Sequence, residues 1–229
     1  MWSEPALEDW SKLNELRGYR DSPWLAKLLE LTGALVDLSR GRFPVVMCLQ
    51  RGPLDVAAAL RGNDRICLDL YDSPRQLAEL LDICAEANLY VAQRLADCTP
   101  SFLKGHVNYF GLWAPGWPYL HQEDAMELFS QDAYAQLLRD LDHRIMSSFT
   151  HSLRKFHTAS LHILEEGLKM ISARGIQITI DPNGPPVAEL VRVFSEIQQK
   201  KPLLVNCGSK KNADRLAGEL PARGLCLFY

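Results

Sequence analysis

His157 and Asp181 are the side chains best placed to do chemistry. His157 closes an aromatic and β-branched stretch, Arg154 to Ala159, that reads as a strand. A histidine at such an end is expected to be hydrogen-bonded or to face a substrate. Asp181 follows Ile180 directly at the end of a second apolar run. It is placed either to accept from a substrate N–H or to cap the turn Asp-Pro-Asn-Gly. Tyr109, Trp113 and Trp117 flank a Pro- and Gly-rich loop, as an aromatic wall for a flat ligand or as a seal over the core. Asn206-Cys207-Gly208-Ser209 precedes a helix whose start would attract an anion or simply be capped by Ser209. Arg61 either meets an acidic substrate or caps a helix, and Glu123-Asp124 reads as an exposed acidic pair with no visible partner. The sequence has no Gly-rich phosphate loop, no nucleophile elbow and no paired-cysteine frame.

These residues need elements to hold them. Leu161, Leu164, Leu168 and Ile171 recur at helical spacing after His157, and Gly175 is expected to stop that helix. Ile176 to Ile180 is β-branched and bounded by Gly and by Asp-Pro-Asn-Gly, hence a buried strand. Two strands joined through a helix by short loops lie parallel. Upstream, Asp21-Ser22-Pro23 starts a helix reaching about Ser39, after an N-terminal helix within Met1 to Tyr19. Pro44 to Leu49 is an apolar run of strand length. Leu54 to Leu60 is a short helix, and Ser73-Pro74 opens a long one toward Ala96. Lys104 to Phe110 is a strand candidate, and Ala133 to Ser148 a helix. Pro185-Pro186 starts another helix, Leu203 to Val205 is a strand, Asn212 to Leu220 a helix, and Gly224 to Phe228 a last strand. Six strands near Val46, Val107, Phe156, Ile178, Leu204 and Cys226 alternate with helices, with no sign of hairpins. That order predicts an α/β fold with a parallel sheet, in one domain over residues 1–229.

Composition narrows the function classes. The chain of 229 residues carries a net charge of −3, so nothing in it calls for nucleic acid or an anionic membrane. No apolar run reaches the roughly 18 residues of a membrane helix. The acidic start lacks a basic segment followed by an apolar one, so no signal peptide is expected. Six scattered cysteines fit reduced thiols in the cytoplasm.

Gly52 to Glu86, GPLDVAAALRGNDRICLDLYDSPRQLAELLDICAE, resembles the middle of the uroporphyrinogen decarboxylase superfamily. There a Gly-Pro turn, a helix, an acidic segment with proline and a long helix follow the third barrel strand. His121 to Ile145 is similar to the family segment in which a site-facing loop leads into a helix. Phe156 to Asp181, and later KPLLVNCG and GLCLF, resemble its last strands.

The resemblance implies a (β/α)8 barrel of the TIM type, with function at the carboxyl ends of the strands. Six visible strands of eight imply an incomplete barrel, covered by a second copy or a completing chain. It implies a lyase that decarboxylates an acidic tetrapyrrole without a cofactor, or a methyltransferase using zinc with a corrinoid partner. An inactive binding or assembly module is the third reading. The decarboxylase branch carries an arginine-rich loop and an early aspartate, and neither has a counterpart here. The zinc branch carries His-x-Cys where this chain reads His157-Thr158-Ala159, which leaves His157 and Cys207 as a weak ligand pair. No metal is therefore expected. The site expected from the resemblance binds a small molecule through His157, Asp181, Tyr109, Trp113 and Arg61.

Overall fold

The computed structural model describes residues 4–229. The chain begins with a 3₁₀ helix, Trp10–Asp21, capped where Asp9 accepts from the Ser11 N–H at 2.9 Å. The N-terminal helix expected within Met1 to Tyr19 is thus a later 3₁₀ segment, and Met1 to Ser3 lie outside the described residues. Helices α1 (Pro23–Ser39), α2 (Pro53–Arg61), α3 (Asn63–Asp72) and α4 (Pro74–Cys98) follow. Proline opens α1, α2 and α4, where its missing N–H has no helical partner to lose.

A small antiparallel pair comes next, β1 (His106–Val107) with β2 (Trp113–Ala114). Then come β3 (Leu120–His121), α5 (Gln131–Leu137), α6 (Arg139–Ser147) and β4 (Leu153–His157). A 3₁₀ turn, Thr158–Ile163, leads into α7 (Leu164–Lys169). The chain continues as β5 (Gly175–Thr179), α8 (Val187–Gln198), β6 (Leu203–Asn206), α9 (Lys210–Glu219) and β7 (Leu225–Phe228). Strands β3 to β7 form one parallel sheet in the order β3-β4-β5-β6-β7. The protein is therefore α/β, with helices between parallel strands. Among the described residues no helix is long and apolar enough to cross a membrane.

Register and alternation divide the sheet into two faces. Phe156, Ile176, Ile178, Leu203 and Val205 pack with Leu190, Phe194 and Ile197 of α8 and Leu216 of α9. Lys155 is level with Gln177, and Gln177 with Leu204, on the opposite face. Strands β5 and β6 are buried on both faces, as the apolar, β-branched character of their runs predicts.

Four expectations are corrected. Pro44 to Leu49 forms no strand; it has no backbone ladder, and Met47, Cys48 and Leu49 line a small crevice with Tyr119 and Leu120. Lys104 to Phe110 shrinks to β1 in a hairpin. There the Asn108 side chain accepts from the N–H groups of Phe110 and Leu112, and Gly111 takes φ 75°, so the chain reverses. The helix after His157 ends at Lys169, and Gly175 opens β5. The helix expected over Ala133 to Ser148 is two, α5 and α6, meeting at Leu138.

Candidate functional site

Strand β4 places Lys155 and His157 two residues apart, so they share one face at the strand's carboxyl end. Strand β5 delivers Asp181 alongside. His157 Nδ1 meets Asp181 Oδ1 at 2.5 Å. Asp181 Oδ2 accepts from Thr158 Oγ1 at 2.7 Å and from the Ala159 N–H at 3.2 Å. Ser160 Oγ accepts from the His157 N–H at 3.1 Å and donates to the His157 carbonyl at 3.0 Å, which fixes the backbone at the turn. The imidazole is held from both ends: its Nε2 lies 2.7 Å from Lys155 Nζ and 3.2 Å from Asp124 Oδ1. Lys155 Nζ also donates to Asp124 Oδ1 at 3.2 Å. Gln122 Nε2 donates to the other Asp124 oxygen at 2.8 Å.

A nitrogen–nitrogen contact of 2.7 Å needs one proton between the two atoms. Two positive groups at that separation would repel, so Lys155 and His157 together carry one charge. The hydrogen bond to Asp124 raises the His157 pKa above its ordinary value; burial opposes this, and Asp181 adds to the rise. Burial lowers that of Lys155 despite the Asp124 carboxylate. Burial alone would push both carboxyls up, yet the bond from His157 and the Lys155 charge hold Asp124 well below its usual range. The bonds from His157 and Thr158 do the same for Asp181.

His157 and Asp181 line an open pocket of about 430 Å³ with Asp124, Glu127, Ala159, Asn183, Gly184 and Pro185. Of the sequence candidates, these two are brought together. Asp181 does not cap its own turn with its side chain; it reaches back to His157. Tyr109 and Trp113 are half-exposed on the hairpin segment and do not line this pocket. Trp113 Nε1 donates to the Phe102 carbonyl, and Trp117 stacks on His106 at 3.9 Å. The crevice beside Tyr109 holds about 20 Å³, room for a water and not for a flat ligand. Arg61 is buried. Its guanidinium binds Asp69 at 2.7 Å and the carbonyls of Leu7 and Glu8, over the Trp10 ring, so it meets no substrate there.

The structure does not bring His157 and Cys207 together in one pocket. His157 Nδ1 and Nε2 are engaged by Asp181 and Lys155, and Cys207, whose thiol burial pushes up to about 11, is not among the residues lining the His157 pocket. Ser209 does cap α9, accepting from the Asn212 N–H at 3.2 Å.

Glu123 and Asp124 are not an idle exposed pair. Asp124 belongs to the pocket. Glu123 is buried and accepts from the Leu54 and Asp55 N–H groups at the start of α2, where the helix dipole favours a carboxylate. This packing explains Gly52, since a Cβ there would run into the Gln122 carbonyl and the Glu123 carboxylate. Beside Glu123 lies a fully buried network. Asp142 takes His121 Nε2 at 2.7 Å, Tyr134 Oη at 2.6 Å and Arg154 Nη2 at 2.9 Å. His121, Glu123 and Asp142 place ligand atoms within 4.8 Å of one another. Arg154 already supplies the cation that Asp142 needs, so the group reads as a structural ion network.

Sequence reasoning missed Lys155 and the network around Asp142, and read Glu123-Asp124 only as an exposed pair. The two-residue spacing from His157 back along a strand would have found Lys155. Nothing local marked the others.

No protein-family model matches the chain, and no curated protein matches it. Among solved structures, a methyltransferase from Methanosarcina mazei aligns with a TM-score of 0.54 and 17% identity, over 77% of this chain and 50% of that one. The chain thus spans about half the length of that structure. What the two share is their architecture: this protein is an α/β chain whose parallel sheet and helices are laid out as part of that methyltransferase is laid out.

Proposed function

We propose that this chain is an arc of a (β/α)8-type barrel on the uroporphyrinogen decarboxylase and methyltransferase plan. Its pocket beyond β4 and β5 binds a small methyl donor. The observation that carries the reading is His157 at the pocket wall, with Nδ1 fixed by Asp181 and Nε2 turned to Asp124 and Lys155. An oriented imidazole with a partner on each nitrogen is equipped to hold or give a proton.

Charge selects among donors. Asp124, Glu127 and Asp181 bring three carboxylates to the lining, against the single charge shared by Lys155 and His157 and the Arg51 guanidinium, 3.4 Å from Asp124. An acidic tetrapyrrole would be repelled there, and Arg61 is spent on Asp69. The decarboxylase reading is therefore the weaker one. A small methylated amine suits the walls. It leaves well only while protonated, and His157 is positioned to keep it so. The methyl acceptor, a corrinoid in the methyltransferases this chain resembles, would come from a partner protein.

The test is methyl transfer from methylammonium or trimethylammonium to reduced cobalamin, followed by absorbance, with binding measured by calorimetry. Transfer is expected, and His157→Gln should slow it by about 10²-fold or more. Because the His157 pKa is raised, the acid form persists above its ordinary 6.5 and the rate falls as pH rises through the folded value. Neither binding nor transfer with either amine would end this reading.

A further inference from the structure

Helix α1 carries two stripes along its length, and the fold uses one of them. Leu25, Thr32 and Ser39 stand seven residues apart and are buried, on the side where α1 packs against α4. Thr32 Oγ1 donates to the Leu28 carbonyl and Ser39 Oγ to the Val36 carbonyl, each at 2.8 Å, so this stripe has its hydroxyls satisfied. The second stripe runs beside it. Trp24, Leu28, Leu31, Leu35 and Leu38 follow one another at steps of four and three residues, with no charge among them. Trp24 is 80% exposed, Leu31 56%, Leu35 42% and Leu38 63%. A single exposed leucine is ordinary, but a row of large apolar side chains at this repeat is the seam along which two helices interlock.

We propose that the exposed stripe of α1 is where two copies of this chain pair, with their α1 helices antiparallel. Area and charge both fit a second copy. Trp24 alone leaves about 200 Å² in water, and with the exposed leucines the row amounts to on the order of 500 Å². Two rows packed together, with the side chains along their borders, would bury roughly 1,200 Å² in total, the lower end of what specific interfaces bury. Lys27 borders the row near its start, and Asp37 lies on the same side near its end. Lys27 is about two-thirds exposed and held only by Glu30, and Asp37 has no ion pair among the described residues. In an antiparallel pair with Leu31 beside the partner's Leu35 and Leu28 beside the partner's Leu38, each Lys27 comes within a helical turn of the partner's Asp37. The contact is made twice, and the helix dipoles oppose. A parallel pair would instead set Lys27 against the partner's Lys27. Helix α1 contributes nothing to the pocket beyond β4 and β5, so pairing and methyl transfer can each fail alone.

The experiment is sedimentation equilibrium of the full chain from about 1 μM to about 100 μM. A reversible equilibrium between monomer and dimer is expected. Leu31→Glu sets a charge in the middle of the seam in both copies and should weaken pairing about 100-fold or more. Lys27→Asp should weaken it about fivefold, because an acid then meets the partner's Asp37 twice, and Lys27→Asp with Asp37→Lys should restore it. All three positions are exposed, and circular dichroism melts check that each variant stays folded. The charge variants carry the test should Leu31→Glu fail to fold. A monomer across the whole range, which would leave the stripe to a different protein, overturns the proposal. So does a dimer that Leu31→Glu leaves intact, or one that the Lys27 and Asp37 exchange neither weakens nor restores.

Discussion

Replacing Asp142 with asparagine should come close to unfolding the protein. Asp142 sits at 0% exposure and, among the described residues, is the only carboxylate paired with Arg154, which is equally buried and whose Nε and Nη1 have no hydrogen-bond partner there. Three donors converge on it at 2.6 to 2.9 Å, from Tyr134, His121 and Arg154. An asparagine amide turns two N–H donors toward this set and leaves the guanidinium charge uncompensated. Breaking a buried pair from one side costs about 3–5 kcal/mol. Domains of ordinary stability hold roughly 5–15 kcal/mol in total. With a urea slope of about 2 kcal/mol per molar, the midpoint should fall by about 2 M. The assay is urea unfolding followed by circular dichroism at pH 7. Removing both charges, Asp142→Leu with Arg154→Met, should be milder than the sum of the two single changes, because neither partner is then stranded. A loss below about 1 kcal/mol for Asp142→Asn, or strict additivity in the double variant, would refute the reasoning. The pH dependence has a definite sign. Burial would raise the Asp142 pKa, but Arg154 and His121 lower it below its ordinary 3.8. Its stabilisation is therefore present above that value and lost as pH falls through the folded one.

Glu123 should behave in the opposite sense. Burial, then Asp142 and Asp55, raise its pKa well above the ordinary 4.5, so the folded state holds this proton more tightly than the unfolded one. Stability from this group is full below 4.5 and declines as pH rises toward the folded value. The stability of Glu123→Gln relative to the original protein should therefore rise between pH 4 and pH 8, measured by denaturation at both pH values. A relative stability that falls or stays flat from pH 4 to pH 8 would contradict this. Two helical glycines should respond oppositely to alanine in thermal melts. At Gly167 in α7 a Cβ would lie 2.5 Å from Phe156 Cζ, so overpacking of about 1–3 kcal/mol should outweigh the gain in helix propensity. At Gly218 in α9 nothing lies within 4 Å, and a gain of up to about 1 kcal/mol is expected.

The parts of this fold written in local signals were readable beforehand. Prolines at positions 53 and 74 mark the starts of α2 and α4, and the β-branched runs of β5 and β6 declare buried parallel strands. The pairing of His157 with Asp181 follows from two adjacent parallel strands ending at one level. What escaped depended on distance along the chain. The two-residue strands β1, β2 and β3 are too short to show a period. Arg154 and Glu123 look like surface charges, because their burial is decided by partners such as Asp142 and the start of α2 that no local pattern announces. Arg61 was misread for the same reason: its carboxylate lies eight residues on, and its carbonyl acceptors come from the N-terminal segment.

In the parallel sheet, spatial order and chain order coincide from β3 to β7. Each strand therefore docks against the one made just before it, and none has to wait for a later partner. A chain emerging from the ribosome can add strands one at a time to a growing edge, closing short loops at each step. On this route Lys155 and His157 are already in line on β4 when β5 arrives with Asp181, so the last partner needed to orient the imidazole comes well before the final strand is made.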